Sequence, residues 1–106
     1  DKVAEQCGQN KPFIVTGELI NESDVKNIID STIRHYGKLD VLVNNAGILE
    51  GGSIETTSLE QYDKIFNVNV RSMYQLTKLA VPHLIKTKGN IVNVSSISGL
   101  RAFPNI

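Results

Sequence analysis

Residues 39–47 read Leu39-Asp40-Val41-Leu42-Val43-Asn44-Asn45-Ala46-Gly47, a short apolar run that ends in two amides, an alanine and a glycine. Such a run predicts a strand buried on both faces of a parallel sheet. The small residues Ala46 and Gly47 predict a turn where the backbone can approach another group closely. A ligand is one candidate for that group, because ligands bind beyond the carboxyl ends of parallel strands. A tight turn whose amides only satisfy backbone groups is the other.

Two further apolar runs predict strands on either side of this one. Pro12-Phe13-Ile14-Val15 ends at Thr16-Gly17, and the run from Gly89 to Val94 ends at Ser95-Ser96. Both are short, apolar and bounded by residues typical of turns. The chain therefore offers three candidate strands.

Two helix patterns separate these strands. The first begins at Asn21-Glu22-Ser23-Asp24, where Asn or Ser can cap free amides, and Gly37 predicts its end. The second begins at Thr57-Ser58-Leu59-Glu60-Gln61, and we expect it to run from Leu59 to Lys86. Strands that alternate with helices predict an α/β fold with a doubly wound parallel sheet.

Small polar residues follow each predicted strand. They are Gly17-Glu18, Asn44-Asn45 and Ser95-Ser96. Parallel strands end at the same edge of a sheet, so these groups predict a binding or catalytic site at that edge.

The long helix carries apolar residues on two sides, and we expect one side to pack on the sheet and the other on a neighbour such as a second subunit. Asn69 interrupts the first apolar side between Phe66 and Met73. A buried amide needs partners, so Asn69 is either a structural hydrogen-bonding residue or part of a site. The segment from Asn67 to Val70 is poor helix sequence and predicts a local irregularity.

The composition indicates one globular unit with a small uncharged ligand. Of 106 residues, 11 are basic and 11 acidic, and they are scattered. This balance predicts neither a nucleic acid nor a membrane as partner. No run of apolar residues is long enough to span a membrane, and no cluster of metal ligands is visible. The only cysteine, Cys7, has no intrachain partner, which predicts a reducing, cytoplasmic location.

Three segments, in order and spacing, resemble the signature segments of the short-chain dehydrogenase/reductase family. They are Leu39 to Gly47, Asn67 to Val70, and Gly89 to Gly99. Within that family the sequence is similar to members labelled as 3-oxoacyl-carrier-protein reductases. The resemblance implies a Rossmann-like fold that binds NAD or NADP. It also implies hydride transfer between the nicotinamide and an alcohol or carbonyl substrate.

The resemblance also assigns roles by position. Ser96 matches the family's catalytic serine, which donates a hydrogen bond to the substrate oxygen. Asn69 matches the catalytic asparagine, which holds a water in a proton relay. The implied cofactor-binding residues are Asn45, Ala46 and Gly47 beside the ribose and nicotinamide, and Glu18 and Leu19 beside the adenine. No metal is implied.

Residues 1–106 match only the central part of a single NAD(P)-binding domain of this family. The family's glycine-rich turn and its catalytic tyrosine and lysine have no counterpart here, so we expect a longer parent protein. The resemblance implies a homodimer or homotetramer formed through the helix from Leu59 to Lys86. Two alternatives stay open, an inactive nucleotide-binding or scaffold protein of the same fold and a truncated fragment without function.

Overall fold

The computed structural model describes residues 1–106 and shows an alternation of helices and two parallel strands. The helices are α1 (Lys2–Gln6), α2 (Glu22–Tyr36), α3 (Leu59–Phe66) and α4 (Ser72–Thr87), and the strands are β1 (Val41–Asn44) and β2 (Asn90–Asn93). A π-helical turn, Asn67–Arg71, joins α3 to α4, and a 3-10 turn, Ile97–Gly99, follows β2. None of the helices is both long and apolar enough to cross a membrane.

The two strands form a parallel pair. Val41 lies opposite Asn90, and Asn44 lies opposite Asn93. The ladder continues one step further, because the Val94 amide donates to the Asn44 carbonyl at 3.0 Å. The segments that follow both strands therefore leave the sheet side by side, as the sequence predicted.

The prediction of a strand at Pro12–Val15 is wrong. This segment forms no backbone hydrogen bonds with β1 or β2, and the sheet has two strands. A strand needs a partner along its edge, and within residues 1–106 the segment contacts α2 instead. The Phe13 amide donates to Tyr36 Oη at 3.1 Å, and the Phe13 ring stacks on His35 with centroids 4.2 Å apart.

The prediction that β1 is buried on both faces is also wrong for these residues. The buried side chains of Ile29 in α2 and of Ala80 and Leu84 in α4 pack together, and Leu42 and Ile91 of the sheet pack against them. Both helices thus cover the same face. The opposite face is about half exposed, at Val41, Val43, Val92 and Val94.

The predicted helix ends are confirmed. The Asn21 side chain accepts hydrogen bonds from the amides of Ser23 and Asp24, and Gly37 ends α2 in the left-handed conformation with φ 77°. Ser58 and Gln61 form a capping box at the start of α3. These local bonds fix where each helix begins relative to the preceding strand end.

The predicted irregularity in the long helix is confirmed as the π-helical turn. Its wider winding pairs the Ser72 amide with the Asn67 carbonyl, five residues earlier. Along the apolar side that Asn69 interrupts, Ala80 is buried, whereas Tyr62 and Phe66 are exposed and stack on each other with ring centroids 4.3 Å apart.

Candidate active site

An open cleft of about 570 Å³ lies at the carboxyl end of the sheet. It is bounded by the turn after β1, the middle of the long helix and the segment after β2. Its lining residues are Asn45, Ala46, Gly47, Ile48, Leu49, Asn69, Met73, Asn93, Val94, Ser95 and Ser96. The structure therefore brings both predicted catalytic residues and the predicted turn into one site, and none of the lining residues carries a charge.

Asn69 links two of the segments that form the wall of this cleft. Its Oδ1 accepts a hydrogen bond from the Ile48 amide and its Nδ2 donates to the Ile48 carbonyl, both at 2.8 Å. The side chain of Asn69 thereby connects the π-helical turn to the segment after β1. Both polar groups of the amide are used within the chain.

Ser96 stands at the start of the 3-10 turn. Its backbone is extended, and its Oγ accepts a hydrogen bond from the Ser98 amide at 3.1 Å. The Ser96 carbonyl accepts from the Gly99 amide, which closes the turn. No group of the chain accepts the Ser96 hydroxyl hydrogen, so this hydrogen is available for a ligand in the cleft.

The turn Asn45-Ala46-Gly47 is exposed along its length. Gly47 lies directly over Asn69, because a Cβ added to Gly47 would be 3.5 Å from Asn69 Oδ1. That separation is an ordinary contact, so Asn69 alone does not require a glycine at position 47. The exposed turn presents backbone and the Asn45 amide toward the cleft.

Asn44, which the sequence placed among the polar residues at the strand ends, pairs with Asn93, which the sequence did not identify as part of the site. They lie opposite each other in the last register position of the sheet, and Asn44 Nδ2 donates to Asn93 Oδ1 at 2.8 Å. Asn44 Nδ2 also donates to Thr77 Oγ1 in α4 at 3.1 Å. Two asparagines that end two predicted parallel strands were the available signal.

Glu18 and Leu19 lie outside the cleft. The Glu18 amide donates to Asp24 Oδ2 at 2.9 Å, and the Glu18 carbonyl accepts from the Asn21 amide. This turn leads into α2. The Glu18 carboxyl group forms no hydrogen bond or ion pair with the chain and is exposed.

An ion pair joins α3 to the loop that follows the cleft-lining residues 45–49. Lys64 of α3 forms an ion pair with Glu50, one residue beyond the cleft-lining Leu49. The hydrogen bond from the Lys64 ammonium lowers the pKa of Glu50, and the same bond raises the pKa of Lys64. The pair tethers the loop to α3.

The comparison with protein families identifies the chain. The family model described as short chain dehydrogenase matches residues 1–106. The chain belongs to the short-chain dehydrogenase family.

Individual proteins with similar sequences support this family assignment. The 2-(R)-hydroxypropyl-CoM dehydrogenase of Xanthobacter autotrophicus is 41% identical over 99 residues, which cover 90% of this chain and 40% of that protein. The 3-oxoacyl-[acyl-carrier-protein] reductase of Thermotoga maritima is 34% identical over 98 residues, covering 92% and 39%. The resemblance drawn from the three signature segments is confirmed.

A solved structure shows the same arrangement of elements. ElxO with NADP bound matches with a TM-score of 0.76 and 38% identity, over 84% of this chain and 37% of ElxO. The chain thus has part of a Rossmann-like α/β fold, and the predicted fold class is confirmed. The chain spans between 31% and 40% of the length of the curated relatives compared with it.

Proposed function

We propose that the intact protein containing these residues transfers a hydride between NAD or NADP and an alcohol or carbonyl substrate. The observation that carries the proposal is the cleft, which Ser96, Asn69 and the turn Asn45–Gly47 line together. Membership of an oxidoreductase family supports the same reaction class. The substrate carries a carbonyl or carbinol carbon. The groups around this carbon are small enough to let it reach Ser96.

In this proposal Ser96 is a catalytic residue. Its hydroxyl hydrogen has no acceptor in the chain, and its Oγ is oriented by the Ser98 amide. It donates a hydrogen bond to the substrate oxygen, which becomes more negative as hydride reaches the carbonyl carbon. A donor held in advance toward developing charge stabilises the transition state more than the bound substrate.

Asn69 acts in this proposal through its backbone. Both polar groups of its side chain are already bonded to Ile48, so the side chain fixes the position of the π-helical turn. The Asn69 main chain then offers the group that holds the relay water. Such turns occur frequently at functional sites because they leave the regular bonding of the helix.

We propose that the nicotinamide end of the cofactor lies against Asn45, Ala46 and Gly47, and that its adenine lies against Glu18 and Leu19. When bound, the cofactor supplies or accepts the hydride. The exposed turn and the unpaired Glu18 carboxyl group support this placement. The bound NADP in ElxO supports a nicotinamide dinucleotide as the ligand.

The reaction also needs a group that gives or takes a proton at the substrate oxygen. The three tyrosines, Tyr36, Tyr62 and Tyr74, lie on helices and none lines the cleft. We propose that a tyrosine and a lysine of the intact protein supply this function.

We propose a homodimer or homotetramer that associates through the outer side of the long helix. Large apolar side chains remain exposed there, at Tyr62, Phe66, Val70, Tyr74 and Ile85. Burying them against a second subunit would remove this apolar surface from water. A cytoplasmic location is part of the same proposal and is supported by the single free cysteine, Cys7.

The test is a hydride-transfer assay on the intact protein. Reduced NAD or NADP is mixed with a panel of aldehydes and ketones, and its absorbance is followed. The proposal predicts loss of absorbance that depends on both protein and carbonyl compound. Cofactor binding without turnover on any compound would instead support an inactive nucleotide-binding protein.

A further inference from the structure

We infer that Asn44 Oδ1 binds one ordered water molecule in a small cavity behind the turn Asn45–Gly47. This inference concerns a polar group at the end of β1 and does not depend on the proposed hydride transfer. It begins with an imbalance in the hydrogen bonds of Asn44.

The amide nitrogen of Asn44 is fully used, whereas its oxygen is not. Nδ2 donates both of its hydrogens, to Asn93 Oδ1 at 2.8 Å and to Thr77 Oγ1 at 3.1 Å. Oδ1 is buried, and no donor of the chain reaches it. The whole residue is only 7% exposed. An amide oxygen removed from water without a hydrogen bond costs about 1–3 kcal/mol, and native proteins rarely leave one in that condition.

A cavity suited to water adjoins this residue. It has a volume of about 50 Å³ and lies between the turn, the long helix and the segment after β2. Its lining residues are Val43, Asn44, Asn45, Ala46, Asn69, Ser72, Met73, Leu76 and Val94. One water needs a probe-occupied volume of roughly 10–15 Å³ and two to four polar partners.

A second partner comes from α4. The Ser72 hydroxyl group is buried and donates to the Val68 carbonyl at 2.5 Å, which leaves its oxygen free to accept. Asn44 and Ser72 both line the cavity, and in this inference the water donates to Asn44 Oδ1 and to Ser72 Oγ. The lining contains no carboxylate, thiol or imidazole group, so its chemistry fits a neutral donor and not a metal ion.

The position of this water gives it a structural consequence for the cleft. It would join the carboxyl end of β1 to α4 immediately behind the exposed turn. The turn would then be supported from behind by the water and from the side by the pairing of Asn69 with Ile48.

The decisive experiment is a high-resolution crystal structure of the intact protein. We expect a density peak for a single water at about 2.7–3.2 Å from Asn44 Oδ1, refined to full occupancy. A protein donor on Asn44 Oδ1, or a cavity without density, would overturn the inference. This result does not depend on whether the protein turns over any substrate.

Two variants separate the water site from general effects on packing. Asn44→Leu keeps the approximate shape of the side chain without its polar atoms, and the water peak should be lost. Thr77→Val removes the other partner of the Asn44 amide but leaves Oδ1 in place, and the peak should remain. Loss of the water in Thr77→Val with retention in Asn44→Leu would contradict the assignment. If Asn44→Leu does not fold, the wild-type density and Thr77→Val still decide.

Discussion

The side-chain amide of Asn69 pairs with both backbone polar groups of Ile48 through two hydrogen bonds of 2.8 Å each. The two residues are 21 positions apart and belong to different elements, the π-helical turn and the segment after β1. Asn69 interrupts an apolar face of the helix, and this pairing fixes its side chain at the wall of the cleft. It also explains how an amide is tolerated there, because neither of its polar groups is left unpaired.

The variant Asn69→Ala tests this contact. It removes both hydrogen bonds and leaves the polar groups of Ile48 without partners in a partly buried place. We expect the free energy of unfolding to fall by about 1–3 kcal/mol and kcat to fall because the turn and helix lose their relative position. Thermal unfolding and steady-state kinetics on the intact protein measure the two effects.

Asn67→Ala is the matched control for this variant. Asn67 lies in the same π-helical turn, is exposed, and its side chain makes no hydrogen bond. It should leave both quantities nearly unchanged. Equal losses of unfolding free energy and of kcat in the two variants would show that the turn tolerates any substitution poorly. The pairing with Ile48 would then not explain the effect of Asn69→Ala.

Gly89→Ala should destabilise the fold at the junction between α4 and β2. An added Cβ would lie 2.3 Å from the Asp40 carbonyl oxygen and 2.9 Å from Leu84 Cδ2, so backbone has to move. Overpacking of this kind costs about 1–3 kcal/mol. Gly99→Ala is the control, because a Cβ there meets nothing within 4 Å. Chemical denaturation should show a lower midpoint for Gly89→Ala only, and equal midpoints would refute the predicted clash.

The ion pair of Glu50 with Lys64 predicts a pH dependence. Lys64 lowers the pKa of Glu50 below its ordinary value of 4.5, so the unfolded chain binds the proton more readily than the folded one. The stabilisation by the pair is therefore complete above the ordinary pKa and is lost as the pH falls through the lowered one. The Lys64 side chain is 59% exposed and the Glu50 side chain 25%, so solvent reaches the pair and we expect a small effect that weakens in salt.

Glu50→Gln measures this contribution directly. Its Tm should be below that of wild type at neutral pH and should approach it in acid. Glu55→Gln in the same loop is the control, because Glu55 forms no ion pair. A difference between Glu50→Gln and wild type that stays constant into acid would contradict the assignment of the effect to this carboxylate.

Local features of the structure could be predicted from the sequence because they depend on neighbouring residues. Asn21 and Ser58 bond to amides two or three positions later, and Gly37 is needed for a left-handed backbone. The irregularity at residues 67–71 likewise follows from a run of poor helix formers. In each of these cases, the residues that determine the feature lie within a few positions of one another in the sequence.

Long-range pairings could not be predicted in this way. The segment Pro12–Val15 has the composition of a strand, but a strand exists only where another supplies its hydrogen bonds. The sequence also indicated that Asn69 needs partners without indicating that Ile48 provides them. The pairing of Asn44 with Asn93 depends on the register of the sheet, which is set by tertiary packing.

Ser96→Ala in the intact protein tests the central proposal most directly. Turnover and cofactor affinity are measured separately, with Ser95→Ala as the control in the adjacent cleft-lining position. We predict that kcat of Ser96→Ala falls by about 100-fold or more while cofactor Kd and the kinetics of Ser95→Ala change little. Unchanged turnover in Ser96→Ala would contradict the assignment of Ser96 as the catalytic donor and with it the proposed use of the cleft.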